Sequence, residues 1–234
     1  MTDNHLVPEA RGLAQMLGDL AVEMQSLTDS RSTLEAIVSA AVDIVPGASW
    51  AGISLASRRK VTAEIRVHDV AARLDRLQTD LREGPALSVL RERHTVLIDD
   101  LAAETRWSSF TSTALTLGVH SLLSFRLFVV GESLGVLELY GATAHAFTSE
   151  SVVIGEVFAQ HAAVAMAGAA STEQMQSALA TRDVIGQAKG MLMERYGVNA
   201  IQAFDLLRKL SQDSNTPLIQ IATDLVEKQQ SSIE

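Results

Sequence analysis

The run from Thr148 to Arg182 constrains the fold of this chain more than any other part of the sequence. It reads TSESVVIGEVFAQHAAVAMAGAASTEQMQSALATR and contains no proline, only two glycines and many alanines. Because proline and glycine are the residues that most disfavour a helix interior, the run predicts one long helix. A helix of this length can bridge two domains, and 234 residues are enough for one medium domain and a small one.

The first half of this predicted helix carries more apolar side chains than one core contact requires. A wide apolar face is typical of a helix that packs on two sides, as at the seam of a dimer, and simple burial explains it equally well. We expect a homodimer and keep simple burial as the alternative. The face consists of Val152, Val153, Val157, Phe158, Ala162, Val164 and Ala165.

Periodicity predicts a mixed helix and strand domain before the long helix. Helical spacing covers Leu13–Leu27 and TDSRSTLEAIVSAAVDIVPGA, with a Ser or Thr cap for the second helix between Ser30 and Thr33. SWAGISLA and KVTAEIRVHD predict a β-hairpin, and VHSLLSFRLFVV and LGVLELYGA predict a second strand pair joined by the turn GES. Between these pairs we predict a helical stretch broken at Gly84-Pro85, a short buried strand in HTVLIDDL and a helix in WSSFTSTALTLG.

Composition and charge exclude several functions. The chain has no cysteine, which excludes disulfides, thiolate-bound iron–sulfur clusters, thiol nucleophiles and thioether-linked chromophores. The net charge of −9 repels nucleic acid on average, so only a local basic patch could bind it. No apolar run approaches the roughly 20 residues that span a bilayer, and the first residues do not resemble a signal peptide. We expect a cytoplasmic protein that does not contact a membrane.

The last quarter of the chain predicts three short amphipathic helices. The first ends at Gly197, the second begins with a capping box of Asn199 and Gln202, and the third follows Thr216-Pro217. The predicted buried side chains are Val184, Ile185, Ala188, Met191, Leu192 and Tyr196 in the first helix, Ile201, Phe204, Leu207 and Leu210 in the second, and Leu218, Ile221, Ala222 and Leu225 in the third.

Two glycines in the first of these helices need a reason, since each costs about 1 kcal/mol relative to alanine. Gly186 and Gly190 lie away from the centre of the apolar face, where either a neighbouring helix or the backbone of a ligand could approach closely. For Gly190 we favour close packing of a neighbouring helix over the approach of a ligand.

The segment RDVIGQAKGMLMERYGVNAIQAFDLLRKLSQDSNTPLIQIATDLV closely resembles an ANTAR domain, the RNA-binding module of bacterial antitermination regulators. The resemblance implies recognition of paired RNA stem-loops, which prevents formation of a transcription terminator. Lysine and arginine would neutralise phosphates, and Gln, Ser and Asn would hydrogen-bond loop bases. Two structural roles remain open as alternatives to RNA contact: Asn215 as only a helix cap, and Ser211 as only a hydrogen-bond donor to its own helix. The expected RNA contacts are Gln187, Lys189, Arg208, Ser211, Gln212 and Asn215.

The chain from Leu13 to about Ala170 resembles a GAF domain, a sensor fold in which helices flank an antiparallel sheet. The resemblance rests on the order of helices and strands, on LQTDLREGPALSVLRERHTVLIDDL and on SLLSFRLFVVGESLGVLELYG. It implies a pocket for an unknown small molecule, with Arg82 and Trp107 as expected contacts. Neither a bilin-binding cysteine nor the N-K-F-D-E set of cyclic-nucleotide types is present. A GAF fold used only as a dimer scaffold is the alternative.

No catalytic or metal site is expected. The string GESLG matches the nucleophile elbow of serine hydrolases, but that elbow requires a strand followed by a helix, and a strand is predicted after Ser133. The six histidines are scattered without the spacing of metal ligands. His161, on the alanine-rich helix, is interpreted as a core or seam residue. We therefore expect no enzyme and no cofactor.

Together these patterns predict an α+β protein of three parts. Residues 13–170 form a GAF-like sensor domain, 171–181 a helical linker that continues its last helix, and 182–230 an all-α, three-helix ANTAR domain. The hypothesis is a regulator of transcription antitermination, controlled by a ligand or partner, that binds RNA stem-loops. A dimeric GAF sensor or scaffold whose last helices bind protein or DNA is the competing hypothesis.

Overall fold

The computed structural model describes residues 29–57, 60–63, 68–92 and 95–230, together with Gln15, Gly18, Val22 and Leu27. The helix predicted over Leu13–Leu27 lies for the most part outside the described residues. The chain divides into two compact units, Met1–Ser171 and Thr172–Glu234.

The first unit is built on a five-stranded antiparallel sheet of order β2-β1-β5-β4-β3, which confirms the α+β class. Its strands are β1 (Trp50–Ser57), β2 (Lys60–Ala63), β3 (Val96–Ile98), β4 (Ser121–Val129) and β5 (Glu132–Gly141). Its helices are α1 (Ser30–Ile44), α2 (Asp69–Leu81), α3 (Pro85–Glu92), α4 (Ser108–Thr116) and the first part of α5 (Ser149–Tyr196). Both predicted strand pairs form, since β1 pairs with β2 and β4 with β5.

Each face of the sheet covers a separate core, because side chains alternate along a strand. On one face Ile53, Leu137 and Leu139 pack with α1 and with Phe158 of α5. On the other face the apolar residues of β4 and β5 pack with α2, α3 and α4; the strand residues are Leu122, Val136 and Tyr140. The second face also carries the buried polar residues Ser54, Ser124 and Glu138.

Two local predictions need correction. Asp29, not a residue between Ser30 and Thr33, caps α1, and its carboxylate accepts a 2.8 Å hydrogen bond from the Ser32 amide. The strand β3 is only partly buried, because it lies at the edge of the sheet and Leu97 is exposed.

The long helix α5 extends over 48 residues without interruption. It confirms the helix predicted from Thr148 to Arg182, and it also includes the first helix predicted for the last domain, which the sequence patterns had not joined to it. It is the one helix among the described residues that is long and apolar enough, by length and composition, to cross a membrane. In the first unit Phe158, Ala162 and Ala163 of α5 are buried in the core, which accounts for part of its apolar character. His161 is exposed and its Nδ1 lies 2.8 Å from the Val157 carbonyl oxygen, so it is not a core residue.

The second unit contains the last part of α5 with α6 (Ala200–Ser214) and α7 (Leu218–Gln230). The predicted capping box at the start of α6 is present, with Asn199 Oδ1 accepting from the Ile201 and Gln202 amides and Gln202 Oε1 accepting from the Asn199 amide, each at 3.0 Å. The core of this unit is small, because its fully buried side chains are mostly alanines. These buried side chains are Ala188, Leu192, Ala203, Leu207 and Ala222.

The predicted apolar face of α6 is wrong in three of its four residues. Leu207 is buried, but Ile201, Phe204 and Leu210 are exposed by 76%, 39% and 52%. Residues spaced by three drift about 60° per step around a helix with 3.6 residues per turn, so four of them cannot share one narrow face. The core instead uses the spacing of four, Ala203 and Leu207.

Tyr196 is likewise exposed and not buried, because it lies at the last residue of α5. The inward residues predicted for α7 are confirmed. Ala222 is buried, and Leu218, Ile221 and Leu225 pack partly buried against the same core.

A glycine in α5 permits close packing on the sheet, and we predict that alanine there destabilises the first unit. A Cβ atom on Gly155 would overlap the Phe125 ring. We expect Gly155→Ala to lower the free energy of unfolding by about 1–3 kcal/mol, as for other overpacked cores. Gly168→Ala is the matched control, since no atom lies within 4 Å of its Cβ position. Urea unfolding of both variants tests this, and equal stability of the two would contradict it.

Candidate functional site

The second unit has a surface groove between α5 and α6. It has a volume of about 420 Å³, within the range of small-molecule pockets. Six of its lining residues follow one side of α5 at spacings of three and four, and the seventh belongs to α6. The residues that line this α5–α6 groove are Ala178, Thr181, Arg182, Ile185, Gly186, Lys189 and Phe204.

The small core of the unit explains why this groove is open. Ala188 of α5 and Ala203 of α6 are both fully buried, and this fixes the rotation of the two helices about their axes. The neighbouring residue Phe204 is therefore turned towards the edge of the contact, where 39% of it is exposed. An exposed aromatic ring next to a helical groove leaves apolar surface for a partner.

The α5–α6 groove is electropositive at two positions. Arg182 and Lys189 line it, and within the described part of the chain neither side chain forms an ion pair. Arg208 differs, because its guanidinium lies 2.9 Å from the Asp205 carboxylate on the exposed surface of α6. Exposed pairs of this kind contribute at most about 1 kcal/mol, so the Asp205 contact does not prevent Arg208 from binding another anion.

The six predicted RNA contacts fall into three groups in the structure. Lys189 lines the groove, whereas Gln187, Arg208 and Gln212 are exposed side chains outside its lining. Ser211 and Asn215 take part in the end of α6. The Ser211 hydroxyl donates to the Thr216 carbonyl oxygen at 2.6 Å. Asn215 occupies the left-handed C-cap with φ of 51°, as asparagine often does.

Two residues of the second unit differ from their predicted roles. Phe204 was predicted to lie in the core, and Gly190 was predicted chiefly to allow close helix packing. No atom lies within 4 Å of a Cβ built on Gly186 or on Gly190, so neither glycine is required by helix packing. The signal that could have located Phe204 is the Ala203–Leu207 pair, because a core centred on that pair turns Phe204 outward.

The first unit contains a buried cluster of acidic and hydroxyl side chains. Glu138 lies on β5 in register with Gly52 of β1 and Ser124 of β4. Asp75 and the Glu138 carboxyl are fully buried. We call the following set the acidic cluster: Ser54, Asp75, Gln78, Glu138 and Tyr140. Gly52 leaves space for it, because a Cβ there would lie 3.2 Å from Asp75 Oδ2.

Hydrogen bonds orient the Glu138 side of the cluster. The Ala86 amide donates to Gln78 Oε1 at 2.9 Å, and Gln78 Nε2 donates to both Glu138 oxygens at 3.1 and 2.9 Å. The Tyr140 hydroxyl lies 3.1 Å from Glu138 Oε2 and 3.4 Å from Asp75 Oδ1. A phenol has a single proton, so it cannot donate to both carboxyl groups at once.

The Asp75 side of the cluster has fewer hydrogen bonds, since the 3.4 Å contact of Tyr140 with Oδ1 leaves the other oxygen without a described donor. Asp75 Oδ2 and Ser54 Oγ are buried and have no hydrogen-bond partner in the described part of the chain. Burial raises the pKa of Asp75 to about 6, against an ordinary value of 3.8. Burial, with the neighbouring charge of Asp75, raises the pKa of Glu138 well above its ordinary range. The pair therefore retains a proton at neutral pH, since two adjacent carboxylates cannot both ionise cheaply.

The two predicted ligand contacts of this unit have different environments. Arg82 is exposed and forms the left-handed C-cap of α2, with φ of 55°. Trp107 is 8% exposed, packs in the core beside α4, and has the Arg106 guanidinium 4.4 Å from its ring centroid. The structure describes no contact between Arg82 and Trp107, and their ligand roles remain predictions.

Ser133 lies within β5, in a strand that pairs with β4, as expected for a hairpin and not for a nucleophile elbow. Its hydroxyl accepts a 3.1 Å hydrogen bond from Arg126 Nε. Across the residues that the structure describes, no three His, Cys, Asp or Glu side chains are grouped so as to hold a metal ion.

Comparison with protein families assigns both units. The GAF domain model matches residues 28–167, and the ANTAR domain model matches residues 173–226. The architecture is thus that of a sensor domain followed by an RNA-binding domain. The chain belongs to the GAF domain family, and with the ANTAR domain that follows it is a GAF–ANTAR regulator. No protein of curated function matches the chain significantly.

Solved structures share the fold of the first unit at low sequence identity. The GAF domain of a phosphoenolpyruvate-protein phosphotransferase from Coxiella burnetii has 15% identity and a TM-score of 0.53, covering 70% of this chain and 98% of its own. A free methionine-R-sulfoxide reductase from Neisseria meningitidis has 14% identity and a TM-score of 0.52, and the match covers 73% of this chain and 95% of the reductase.

The chromophore-binding domain of a bacteriophytochrome from R. palustris is a further structural relative, with 11% identity and a TM-score of 0.50. The match covers 74% of this chain and 64% of the bacteriophytochrome domain, so the chain spans just under two thirds of that relative. These relatives include a reductase and a chromophore-binding domain, and at such identities the likeness shows the fold alone.

The acidic cluster predicts a stability that falls as the pH rises. Between about pH 4 and pH 6 Asp75 binds more protons in the folded protein than in the unfolded chain. The contribution of its protonation to the free energy of unfolding is therefore complete below pH 4 and is lost above pH 6. We expect Asp75→Asn to stabilise the first unit at pH 8 by on the order of 2–3 kcal/mol and to have little effect at pH 4. Thermal melting at the two pH values measures this.

The control for this prediction is Asp80→Asn, on an exposed position of the same helix. It should change stability equally little at both pH values. A loss of stability in Asp75→Asn at pH 8 would contradict the prediction, because it would mean that the folded protein needs the Asp75 charge.

Proposed function

We propose that the protein is a cytoplasmic antitermination regulator that binds paired RNA stem-loops through its ANTAR domain and so prevents formation of a transcription terminator. One observation carries the proposal: within an acidic chain, the α5–α6 groove presents Arg182 and Lys189 without carboxylate partners in the described part of the chain. Such positions can neutralise phosphates, whereas the net charge of −9 makes binding elsewhere on the chain unfavourable.

The proposed RNA surface includes the groove and the adjacent exposed side chains of α5 and α6. Lys189 and Arg208 would contact phosphates, and Gln187 and Gln212 would hydrogen-bond bases of the loops. Ser211 and Asn215 would contribute through their remaining acceptor and donor groups, since their present hydrogen bonds belong to the end of α6.

The GAF domain would supply the regulatory input. A small molecule or a protein partner would bind it, and α5, which continues from the GAF domain into the ANTAR domain, would transmit the change. The competing function, a dimeric scaffold whose last helices bind protein, is favoured by the exposure of Ile201 and Leu210 on α6.

The RNA proposal predicts a loss of selectivity when two cations are removed. We expect Lys189→Ala with Arg208→Ala to abolish the preference for double-hairpin RNA over an unstructured RNA of equal charge. The salt dependence of log Kd should decrease by about 2, one unit for each lost phosphate contact. Fluorescence anisotropy over a series of salt concentrations measures both quantities.

The control removes the same number of charges from the GAF domain. Arg73→Ala with Arg91→Ala changes two exposed arginines of α2 and α3 and should leave selectivity intact. If the wild-type protein itself shows no preference for hairpin RNA, the scaffold function becomes the better account.

We also propose a homodimer, formed by the part of the α5 apolar face that the core leaves uncovered. Val153 and Val164 are exposed by 60% and 67%, whereas Phe158 and Ala162 of the same helix are buried. Eleven residues complete about three helical turns, so the two exposed valines lie on one side of α5.

The dimer proposal predicts that a charge in the seam separates the subunits. A carboxylate introduced at position 164 would be buried in the apolar seam without a partner, and an uncompensated buried charge costs several kcal/mol. We therefore expect Val164→Glu to raise the dimer dissociation constant at least about tenfold in sedimentation equilibrium. Val130→Glu, at the fully exposed β4–β5 turn, is the control and should remain dimeric. A monomeric wild-type protein would refute the proposal.

A further inference from the structure

We propose that the α5–α6 groove is a pocket for one unpaired RNA base, which stacks on Phe204 over the bare backbone of Gly186 while Arg182 and Lys189 hold the adjoining phosphates. The inference rests on the proposed RNA function and adds to it the class of ligand that this groove takes. Sequence patterns placed Phe204 in the core, left the approach of a ligand to Gly186 as one of two explanations, and did not assign Arg182 to RNA.

Phe204 provides the first argument. Its ring is 39% exposed and lines the groove, although a phenylalanine in so small a bundle would be expected to fill the core. Bases displaced from a loop stack on aromatic side chains of this kind, and the stacking accepts any base because every base has a π face.

Gly186 provides the second argument, which is independent of charge. Its backbone is helical, and among the described residues no atom beyond its own turn of helix lies within 4 Å of its Cβ position, so neither an unusual backbone conformation nor a neighbouring helix requires glycine. A glycine at this helix position costs about 1 kcal/mol relative to alanine. The absence of a side chain has one local consequence: it deepens the groove beside Phe204.

The charges at the groove determine which occupant fits. Arg182 and Lys189 lie on α5 two turns apart and line the same groove, and no described carboxylate pairs with either. An apolar peptide segment would leave both cations without a counter-charge, whereas a nucleotide places phosphates next to its flat, apolar base. The combination of an aromatic face and unpaired cations therefore favours a nucleotide.

The pocket predicts that two glycines of the same helix behave differently. Gly186→Ala and Gly190→Ala should both raise the melting temperature, since both positions are helical and have no neighbour within 4 Å. Of the two, Gly186 alone lines the groove. Gly186→Ala should therefore weaken binding of double-hairpin RNA at least about fivefold, and Gly190→Ala should leave it unchanged.

Phe204 predicts a second, separable effect. Phe204→Leu should weaken binding about 5- to 150-fold without changing its salt dependence, whereas Lys189→Ala should lower that dependence by about one unit. Phe204→Tyr keeps the ring and should restore affinity. Leu210→Ala, an exposed apolar residue of α6 that does not line the groove, is the control.

The RNA supplies the direct test. Loop nucleotides of a double-hairpin RNA are replaced one at a time by abasic residues, and binding to the full-length protein is measured for wild type and Phe204→Leu. Removal of the base at one loop position should weaken binding to the wild-type protein. In Phe204→Leu, which already binds more weakly, the same removal should weaken binding little further, because the base and the ring belong to one interaction.

Other outcomes separate the two proposals. The wild-type protein could bind hairpin RNA with an affinity that Phe204→Leu, Gly186→Ala and every abasic substitution leave unchanged. That result would overturn the base pocket and leave the RNA function standing. If wild type does not bind hairpin RNA, both are overturned. Binding of an apolar peptide that Phe204→Leu abolishes, without RNA binding, would assign the groove to a protein partner.

Discussion

One helix takes part in two hydrophobic cores, and the rest of the structure depends on this constraint. In the first unit α5 contributes Phe158 and Ala162 to the core beneath the sheet, and in the second it contributes Ala188 and Leu192 to the helical bundle. Neither unit can lose its part of α5 without losing a face of its core. A change in the packing of α5 on the sheet is therefore a physical route by which a sensor could act on an RNA-binding domain.

The two units use their limited interior in opposite ways. The GAF domain places two carboxyl groups in its core and stabilises them with protons and with the oriented amide of Gln78, at a cost in stability that grows with pH. The ANTAR domain has a core made largely of alanine and leaves larger apolar side chains outside. Phe204 is exposed because the core does not need it, and so it is available to a ligand.

Sequence patterns predicted the order and kind of the described elements because periodicity and capping are local properties. The hairpins, the capping box at Asn199 and the inward face of α7 required no tertiary information. The errors occurred where several residues compete for one small core, as on α6, where the pattern did not separate Leu207 from Phe204. The acidic cluster could not be predicted, since Asp75 and Glu138 are brought together only by packing α2 on β5.

The sequence by itself determined a sensor-like sheet domain, a long helix that leaves it and a three-helix domain, because the absence of proline and the repeat of apolar residues act along the chain. Only the structure shows that the long helix continues unbroken into the last domain. The sequence also determined that lysine and arginine outnumber aspartate and glutamate, five to three, between Arg182 and Gln212. Tertiary structure decided which of these side chains meet. Burial of Ala188 and Ala203 fixes the rotation of α5 and α6, and that rotation brings Arg182, Lys189 and Phe204 to one groove, which no spacing along a single helix could specify.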